Sequence, residues 1–250
     1  MAKAKSRAVR KRRSAAPRKG KGEPAWVRFT FYIVTVLIFI VLVYYGMLYN
    51  SKSISAPLDL ADSSMVFSLL LPFIVFSYLL LRGNSLEEII EQLGLSRKSL
   101  SKSVIVAGIL LLIAVIALEA GIAVFSTVTN IQLPTNVQAV LAGTPAYFLI
   151  FTFLIAPIDE EIFFRGFIVT KLKGFTHNAW IAIIGGAIIF AILHLSYLSV
   201  SEFLAAFVFG ILAGYVFLRM KSLYPSIMAH MLVNLLTVIS IVSVGLLIHF

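Results

Sequence analysis

The sequence contains no cysteine and few charged residues. Without a thiol, the chain has no disulfide, no thiolate metal ligand and no cysteine nucleophile. Charged residues make up 13% and apolar residues 60% of the 250 positions, whereas soluble domains average about 25% and about 45 to 50%. Water is therefore not the main solvent of this protein, and any catalysis must use groups other than thiols.

The few charges are unevenly distributed along the chain. Residues 1–24 hold ten Lys and Arg residues and one acid, Glu23, whereas the rest of the chain holds eleven basic and ten acidic residues. This segment has almost no apolar side chains to offset the entropy of ordering, so we expect a disordered basic cytoplasmic tail. Its expected roles are to orient the protein and to adhere to anionic lipid, at about 1 kcal/mol per basic residue. No nucleic-acid partner is expected.

Long apolar runs follow the tail. They are long enough, or nearly so, to cross a hydrocarbon core about 30 Å thick. We therefore predict an all-α, polytopic membrane helix bundle of about seven transmembrane helices around a polar intramembrane cavity, or eight if the last run is broken. The seven runs cover residues 29–49, 65–81, 104–125, 147–168, 179–198, 203–218 and 223–247.

A short amphipathic segment lies between the second and third runs. Ser85 and Glu88 have the spacing of a capping box, and apolar residues recur at helical spacing as far as Gly94, which predicts an interfacial helix. If the tail is cytoplasmic, nearly all other basic residues also face the cytoplasm, which predicts a multi-pass protein of the cell membrane. The predicted parts are the tail at 1–24, N-terminal transmembrane helices with the interfacial helix at 25–140, and a catalytic membrane core at 141–250.

Three acids and one base interrupt the fourth apolar run. Asp159, Glu160 and Glu161 follow Pro157, although an ionisable side chain at the bilayer centre costs about 2.5 to 3.5 kcal/mol. Glu161 and Arg165 are four residues apart, share a helix face and can neutralise each other. Glu160 then faces elsewhere and is the best candidate for a general base. The alternative is that the cluster is only the end of the span, with its charges among lipid headgroups.

Residues at intervals of four mark three further runs. Residues so spaced share one helix face. The seventh run carries His230 and Asn234 in this way. We predict that both side chains line one cavity with Glu160 and with His194 of the fifth run. The fifth run carries a glycine for close approach, an aromatic ring and an imidazole, namely Gly186, Phe190 and His194. The sixth run carries small residues typical of a packing helix, namely Ala206, Gly210 and Gly214.

The depth of His194 disagrees with these predicted helix ends. If the fifth helix begins at Ala179, His194 lies about 22 Å from its start at 1.5 Å per residue. If the fourth helix ends near residue 168, Glu160 lies much closer than His194 to the cytoplasmic side. We therefore expect the fifth helix to begin later or to be strongly tilted.

Three short motifs occur in order on the fourth, fifth and seventh apolar runs, and together they resemble the CAAX protease and bacteriocin-processing enzyme family. The resemblance covers roughly residues 147–240, and Leu93-Gly94-Leu95 upstream is also similar to that family. It implies an intramembrane endopeptidase similar to the type II CAAX prenyl proteases, which remove the last three residues after a prenylated cysteine. The motifs are Glu160-Glu161-x-x-x-Arg165, Phe190-x-x-x-His194 and His230-x-x-x-Asn234.

The resemblance also implies roles for these residues. Glu160 and His194 would activate a water molecule, while His230 and Asn234 would hold the oxyanion. Glu161 and Arg165 would correspond to the family's supporting pair. The implied partners are membrane lipids and a peptide or prenylated protein substrate, and no cofactor is implied.

Two other functions remain open from the sequence. A zinc metalloprotease could use Glu160, His194 and His230 as its two-His-one-Glu ligand set, although the chain has no His-Glu-x-x-His helix and Asn234 fits an oxyanion donor better than a ligand. A transporter or membrane scaffold could use the same cavity to bind without cutting. A transporter is expected to show internal repeats with paired broken helices, which the sequence lacks.

Overall fold

The computed structural model of the protein describes residues 57–129, 145–197 and 200–248. The predicted tail at 1–24 and the first predicted span at 29–49 lie outside the described residues. Within the described residues the chain is helical and contains no β-strand, as the all-α prediction requires. The helices in chain order are α1 (Pro57–Leu81), α2 (Leu86–Gln92), α3 (Lys102–Thr129), α4 (Ala146–Leu154), α5 (Ala156–Glu161), a π-helix (Ile162–Val169), α6 (Thr170–Thr176), α7 (Ala179–Leu193), α8 (Val200–Met220) and α9 (Tyr224–Ile248).

Five of these helices follow the predicted apolar runs. They are α1, α3, α7, α8 and α9, of which α3 and α8 are long and apolar enough to cross a membrane. Shorter apolar stretches lie in the other three. Helix α7 ends at Leu193 and continues as a 3-10 turn, His194–Tyr197. Helix α9 is continuous, so the break that would add an eighth crossing does not occur within residues 224–248.

Helix α3 turns a long apolar face outward. Exposed aliphatic side chains recur along it from Ile105 to Val128, and Leu110 and Val124 are 61% and 62% exposed. An exposed apolar strip of this length is unusual on a protein surface in water and is typical of a surface that contacts another apolar phase. The inner face of α3 packs on α8 and α9.

The short helix predicted between the second and third apolar runs is confirmed as α2. The Ser85 side chain accepts a hydrogen bond from Glu88 N at 3.3 Å, and the Glu88 carboxylate accepts one from Ser85 N at 2.7 Å. This capping box supplies acceptors for N–H groups that a helix start leaves unpaired. Ile89 is buried, whereas Glu87, Glu88 and Glu91 are exposed, so the helix is amphipathic as predicted.

The segment that follows α2 is attached to the start of α9. Leu223 N donates to Gly94 O at 3.1 Å, and Tyr224 Oη donates to Leu95 O at 2.8 Å. Gly94 has φ +70, and a Cβ there would lie 2.9 Å from Lys221 O. Both the backbone conformation and the close approach therefore require glycine. We call this attachment the Gly94 seam.

Helices α7 and α8 pack closely, as the small residues of the sixth run predict. A Cβ on Gly210 would lie 2.8 Å from Cα and Cβ of Ala187. On the same face, a Cβ on Gly214 would lie 3.4 Å from the Ile183 side chain. The absence of side chains at these positions lets the two helix backbones approach.

The predicted end of the fourth span at residue 168 is wrong. The run is interrupted at Ile155, becomes a π-helix and continues as α6 to Thr176. It ends where His177 adopts a left-handed conformation with φ 54. Asn178 then caps α7 by accepting hydrogen bonds from Trp180 N and Ile181 N. The pattern of apolar residues could not locate this end. The π-helix does not follow the 3.6-residue repeat, and α6 is too polar to continue the apolar pattern although it is helical.

This correction resolves the depth of His194. Helix α7 does begin at Ala179, so the expectation of a later start is wrong. Glu160 lies sixteen residues before Thr176, and His194 lies fifteen residues after Ala179. Both are therefore about 22 to 24 Å from the turn that joins α6 to α7, at 1.5 Å per residue.

Candidate active site

The candidate site is built around the π-helix. Each of its eight residues is buried, and the segment contacts α1, α7 and α8. On the α7 side, the approach depends on Gly186, where a Cβ would lie 2.5 Å from the Val169 side chain. π-Helical segments inside α-helices are frequently found at functional sites. The acids precede this segment and Arg165 lies within it.

Glu161 and Arg165 form a buried ion pair, as their spacing predicts. Arg165 Nη1 donates to Glu161 Oε1 at 2.7 Å, and the two side chains are 2% and 0% exposed. The Arg165 guanidinium also lies over the rings of Phe190 and Phe209, with Cζ 4.3 and 4.9 Å from their centroids. Ring faces attract a cation without offering an oxygen. This explains why Arg165 Nη2 has no hydrogen-bond partner among the described residues.

His230 lies between the two glutamates. Its Nδ1 is 3.1 Å from Glu161 Oε1 and its Nε2 is 3.8 Å from Glu160 Oε2. An ionised carboxylate can only accept, so Nδ1 carries a hydrogen and donates it to Glu161. We call Glu160, Glu161, Arg165 and His230 the ion cluster.

The two adjacent glutamates differ in exposure. The Glu161 side chain is 0% exposed, whereas the Glu160 side chain is 22% exposed. Glu160 Oε2 is buried and has no hydrogen-bond partner in the described part of the chain, so the exposure belongs to the other atoms of the side chain. Glu160 is thus accessible from one side and faces His230 on the other.

His194 sits where α7 ends. Its Nδ1 is 3.0 Å from Phe190 O, a carbonyl that can only accept, so this nitrogen also carries a hydrogen. The Phe190 ring lies 4.7 Å from the His194 ring and 5.8 Å from the His230 ring, between centroids. The structure therefore gathers both predicted histidines around one aromatic ring. It pairs Glu160 with His230, although the resemblance pairs Glu160 with His194.

Asn234 connects α9 to the interrupted fourth run. Its Nδ2 donates to Thr152 O at 3.0 Å. Thr152 lies in the last turn of α4, just before the interruption at Ile155. The amide therefore fixes the end of α4 one turn of α9 away from His230. The predicted seventh-run residues thus share one face of α9, with His230 beside the glutamates and Asn234 bonded to Thr152 O.

Several residues of the site do not appear in the sequence prediction. Ser68 on α1 donates to Asp159 Oδ2 at 3.3 Å, and Phe209 on α8 lies 4.9 Å from the His230 ring. No motif marks either of them. Asp159 and Arg165 are 6% and 1% exposed, so the alternative that places them at the solvated end of a span is wrong.

Metal ligation was the other chemical hypothesis for these residues. Within residues 57–129, 145–197 and 200–248, no three His, Asp or Glu side chains are grouped so as to hold a metal ion. The predicted set of Glu160, His194 and His230 is therefore not assembled around one point in this structure.

Comparison with known proteins identifies the segment that carries the site. A family model described as type II CAAX prenyl endopeptidase Rce1-like matches residues 142–236, which include all six predicted site residues. No curated protein and no solved structure matches the chain. This similarity supports a protease, and together with the apolar helices it supports an integral membrane protein. Residues 142–236 of this chain are therefore similar to the Rce1-like family of type II CAAX prenyl endopeptidases.

Proposed function

We propose that this protein is an intramembrane endopeptidase in which Glu160 activates a water molecule for attack on a peptide carbonyl. The observation that carries the proposal is the contrast between two adjacent carboxylates. Glu161 is sealed at 0% exposure by Arg165 and His230, whereas Glu160 keeps 22% exposure beside the same histidine. A sealed carboxylate can hold charge and geometry, but only an accessible one can reach water and substrate.

His194 is proposed to be the second group on the attacking water. Its Nδ1 donates to Phe190 O, so Nε2 presents a lone pair that accepts a hydrogen bond. A water held between Nε2 and Glu160 would transfer one proton to the carboxylate as its oxygen attacks the carbonyl carbon. The gathering of His194 and His230 around Phe190 supports this arrangement.

His230 and Asn234 are proposed to stabilise the oxyanion that the attack creates. Glu161 holds Nδ1 of His230, which leaves Nε2 on the side of Glu160. When Nε2 also carries a hydrogen, the four charges of the ion cluster cancel and that N–H can donate to the oxyanion. The Asn234 amide has a second hydrogen besides the one donated to Thr152 O.

The metal-free mechanism is proposed in preference to zinc catalysis. A catalytic zinc site uses three protein ligands. No such group of three His, Asp or Glu side chains is found in the part of the chain that the structure describes. Asn234 is directed at a backbone carbonyl and offers N–H groups, which suit an oxyanion better than a metal.

We also propose a multi-pass arrangement in the cell membrane, with seven spans and a cytoplasmic N-terminus. The outward apolar face of α3 and the apolar stretches in α1, α7, α8 and α9 support it. The distribution of basic residues supports the orientation. In this arrangement the basic tail lies beside the anionic cytoplasmic leaflet and can adhere to it.

The proposed substrate is a peptide or protein that ends in a prenylated CAAX sequence. The similarity of residues 142–236 to type II CAAX prenyl endopeptidases supports this substrate class. The test is cleavage of a fluorogenic farnesylated CAAX peptide by the purified protein in detergent. Wild type, Glu160→Gln and His194→Ala are compared, each with and without a zinc chelator. Asp159→Asn is the matched control, because this adjacent carboxylate is 6% exposed and faces Ser68 instead.

Each outcome of this experiment has a distinct meaning. We expect chelator-resistant cleavage that falls by about 10² to 10⁴ in Glu160→Gln, as for loss of a general base. Asp159→Asn should stay within a few fold of wild type. Chelator-sensitive cleavage would favour zinc. Binding without cleavage, unchanged by Glu160→Gln, would favour a transporter or scaffold.

A further inference from the structure

A third polar residue shares the face of α9 that carries His230 and Asn234. Ser226 lies four residues before His230, so the three side chains form one stripe along the helix. Ser226 is 1% exposed, and its hydroxyl donates to Leu223 O at 3.0 Å. A polar group buried this deeply is expected to serve a specific hydrogen-bonding purpose.

Glu161 uses one carboxylate oxygen twice and the other not at all. Oε1 accepts from Arg165 Nη1 at 2.7 Å and lies 3.1 Å from His230 Nδ1. Oε2 is buried and has no hydrogen-bond partner among the described residues. A carboxylate oxygen removed from water is strongly destabilised unless a donor reaches it. The site therefore calls for one more donor beside Oε2.

Ser226 is placed to be that donor. It lies one helical turn from His230, on the face of α9 where that ring contacts the Glu161 carboxylate, and its hydroxyl lies 3.0 Å from Leu223 O. A serine hydroxyl has one hydrogen, which rotates to suit its surroundings. Leu223 O already accepts from Ile227 N at 2.9 Å, and an ionised carboxylate is the stronger acceptor. We propose that Ser226 donates its hydrogen to Glu161 Oε2 and thereby positions Glu161 against His230.

This inference rests on the proposed function and deepens it. Ser226 does not touch the reacting atoms but acts through Glu161. With both of its oxygens held, the Glu161 carboxylate cannot rotate, and the bond from Oε1 to His230 Nδ1 keeps its direction. The His230 ring is then fixed with Nε2 on the side of Glu160. Ser226 is therefore a positioning residue for the oxyanion donor.

The test compares three substitutions of Ser226 with one control. Ser226→Ala removes the hydroxyl, Ser226→Cys keeps nearly the same volume with a weak donor, and Ser226→Thr keeps the hydroxyl. Ser222→Ala is the matched control. Ser222 is also buried, at 0% exposure, but its hydroxyl accepts from Tyr224 N at 3.4 Å.

The expected result is a change in kcat and not in KM. Cleavage of the farnesylated peptide should show kcat about tenfold lower in Ser226→Ala and Ser226→Cys, which corresponds to about 1.4 kcal/mol. KM should stay within about twofold, and Ser226→Thr and Ser222→Ala should keep the wild-type kcat. Wild-type kcat in Ser226→Cys, or an equal fall in Ser222→Ala, would overturn the proposal. If Ser226→Ala does not fold, the comparison of Ser226→Cys with Ser226→Thr decides.

A stability measurement tests the contact without relying on cleavage. Ser226→Ala is made in the wild type and in Glu161→Gln, and Tm is measured for all four proteins. A hydrogen bond to a charged acceptor is about twice as strong as one to a neutral acceptor. The fall in Tm on losing the hydroxyl should therefore be larger in the wild type. Equal falls in Tm in the two backgrounds would overturn the contact. A larger fall in the wild type, together with no cleavage of the peptide, would count against the protease function alone.

Discussion

Replacing Arg165 with methionine would leave the Glu161 carboxylate buried without its cation. The two side chains are 2% and 0% exposed and lie 2.7 Å apart. A methionine side chain is flexible and long enough to occupy the space between the rings of Phe190 and Phe209. The substitution therefore removes the charge while it keeps most of the apolar packing.

The expected loss of stability is large because the pair is sealed from water. Removing one partner of a buried ion pair costs about 3 to 5 kcal/mol, since the other charge is left uncompensated. In a chain of this size, 1 kcal/mol corresponds to about 2 to 4 °C in Tm. The ion pair alone therefore predicts that Tm falls by about 6 to 20 °C in Arg165→Met.

Thermal unfolding of the purified protein in detergent measures this loss. Lys98→Met is the matched control, because Lys98 pairs with Glu91 at 3.3 Å while the two side chains are 84% and 49% exposed. An exposed pair contributes about 0 to 1 kcal/mol, so the control should shift Tm by about 4 °C at most. Combining Arg165→Met with Glu161→Gln removes the unpaired charge and should recover part of the loss.

Two results would refute this account of the ion cluster. The first is a fall in Tm for Arg165→Met that does not exceed the fall for Lys98→Met. The second is a double variant that is less stable than Arg165→Met, because neutralising an uncompensated carboxylate must help if that carboxylate is charged and buried.

Three further substitutions, one of them a control, test the packing and the oxyanion site. Gly210→Ala should lower the free energy of unfolding by about 1 to 3 kcal/mol, because the new Cβ would lie 2.8 Å from Ala187. Gly121→Ala should raise it by up to about 1 kcal/mol, because the new Cβ would meet no described atom within 4 Å beyond the adjoining residues and the backbone of its own helix. Thermal unfolding compares the two variants. Asn234→Ala should lower kcat by about 10² to 10³ with little change in KM, as measured with the farnesylated peptide. The same substitution should also destabilise the protein by about 1 to 3 kcal/mol, because Thr152 O loses its donor. If kcat is unchanged, Asn234 only holds the end of α4 and does not bind the oxyanion.

The sequence predicted those parts of the fold that depend on local interactions. The capping box of Ser85 and Glu88 gave the start of α2, and the pairing of Glu161 with Arg165 followed from their spacing on a helix. Close packing of α8 on α7 followed from small residues such as Gly210. Each of these features joins residues that are near in sequence or repeat with the helical period.

Features that depend on contacts between distant segments could not be predicted. The interruption at Ile155 and the π-helix after it break the helical repeat, so the sequence places the end of the fourth span near residue 168 and not at Thr176. Phe209 lies in a run of apolar residues and gains its position beside His230 only from the packing of α8. The donation from Asn234 to Thr152 O joins an amide to a backbone carbonyl, which no side-chain pattern records.

The Gly94 seam bears on which piece of this protein can be produced by itself. The family match covers residues 142–236, but the main-chain bond from Leu223 N to Gly94 O reaches outside it. So does the bond from Ser68 to Asp159, and residue 236 falls in the middle of α9. A fragment cut at the limits of the match would expose the start of α9 and the buried face of the π-helix. The unit of homology is therefore smaller than the unit of folding, and a minimal expression fragment has to begin before α1.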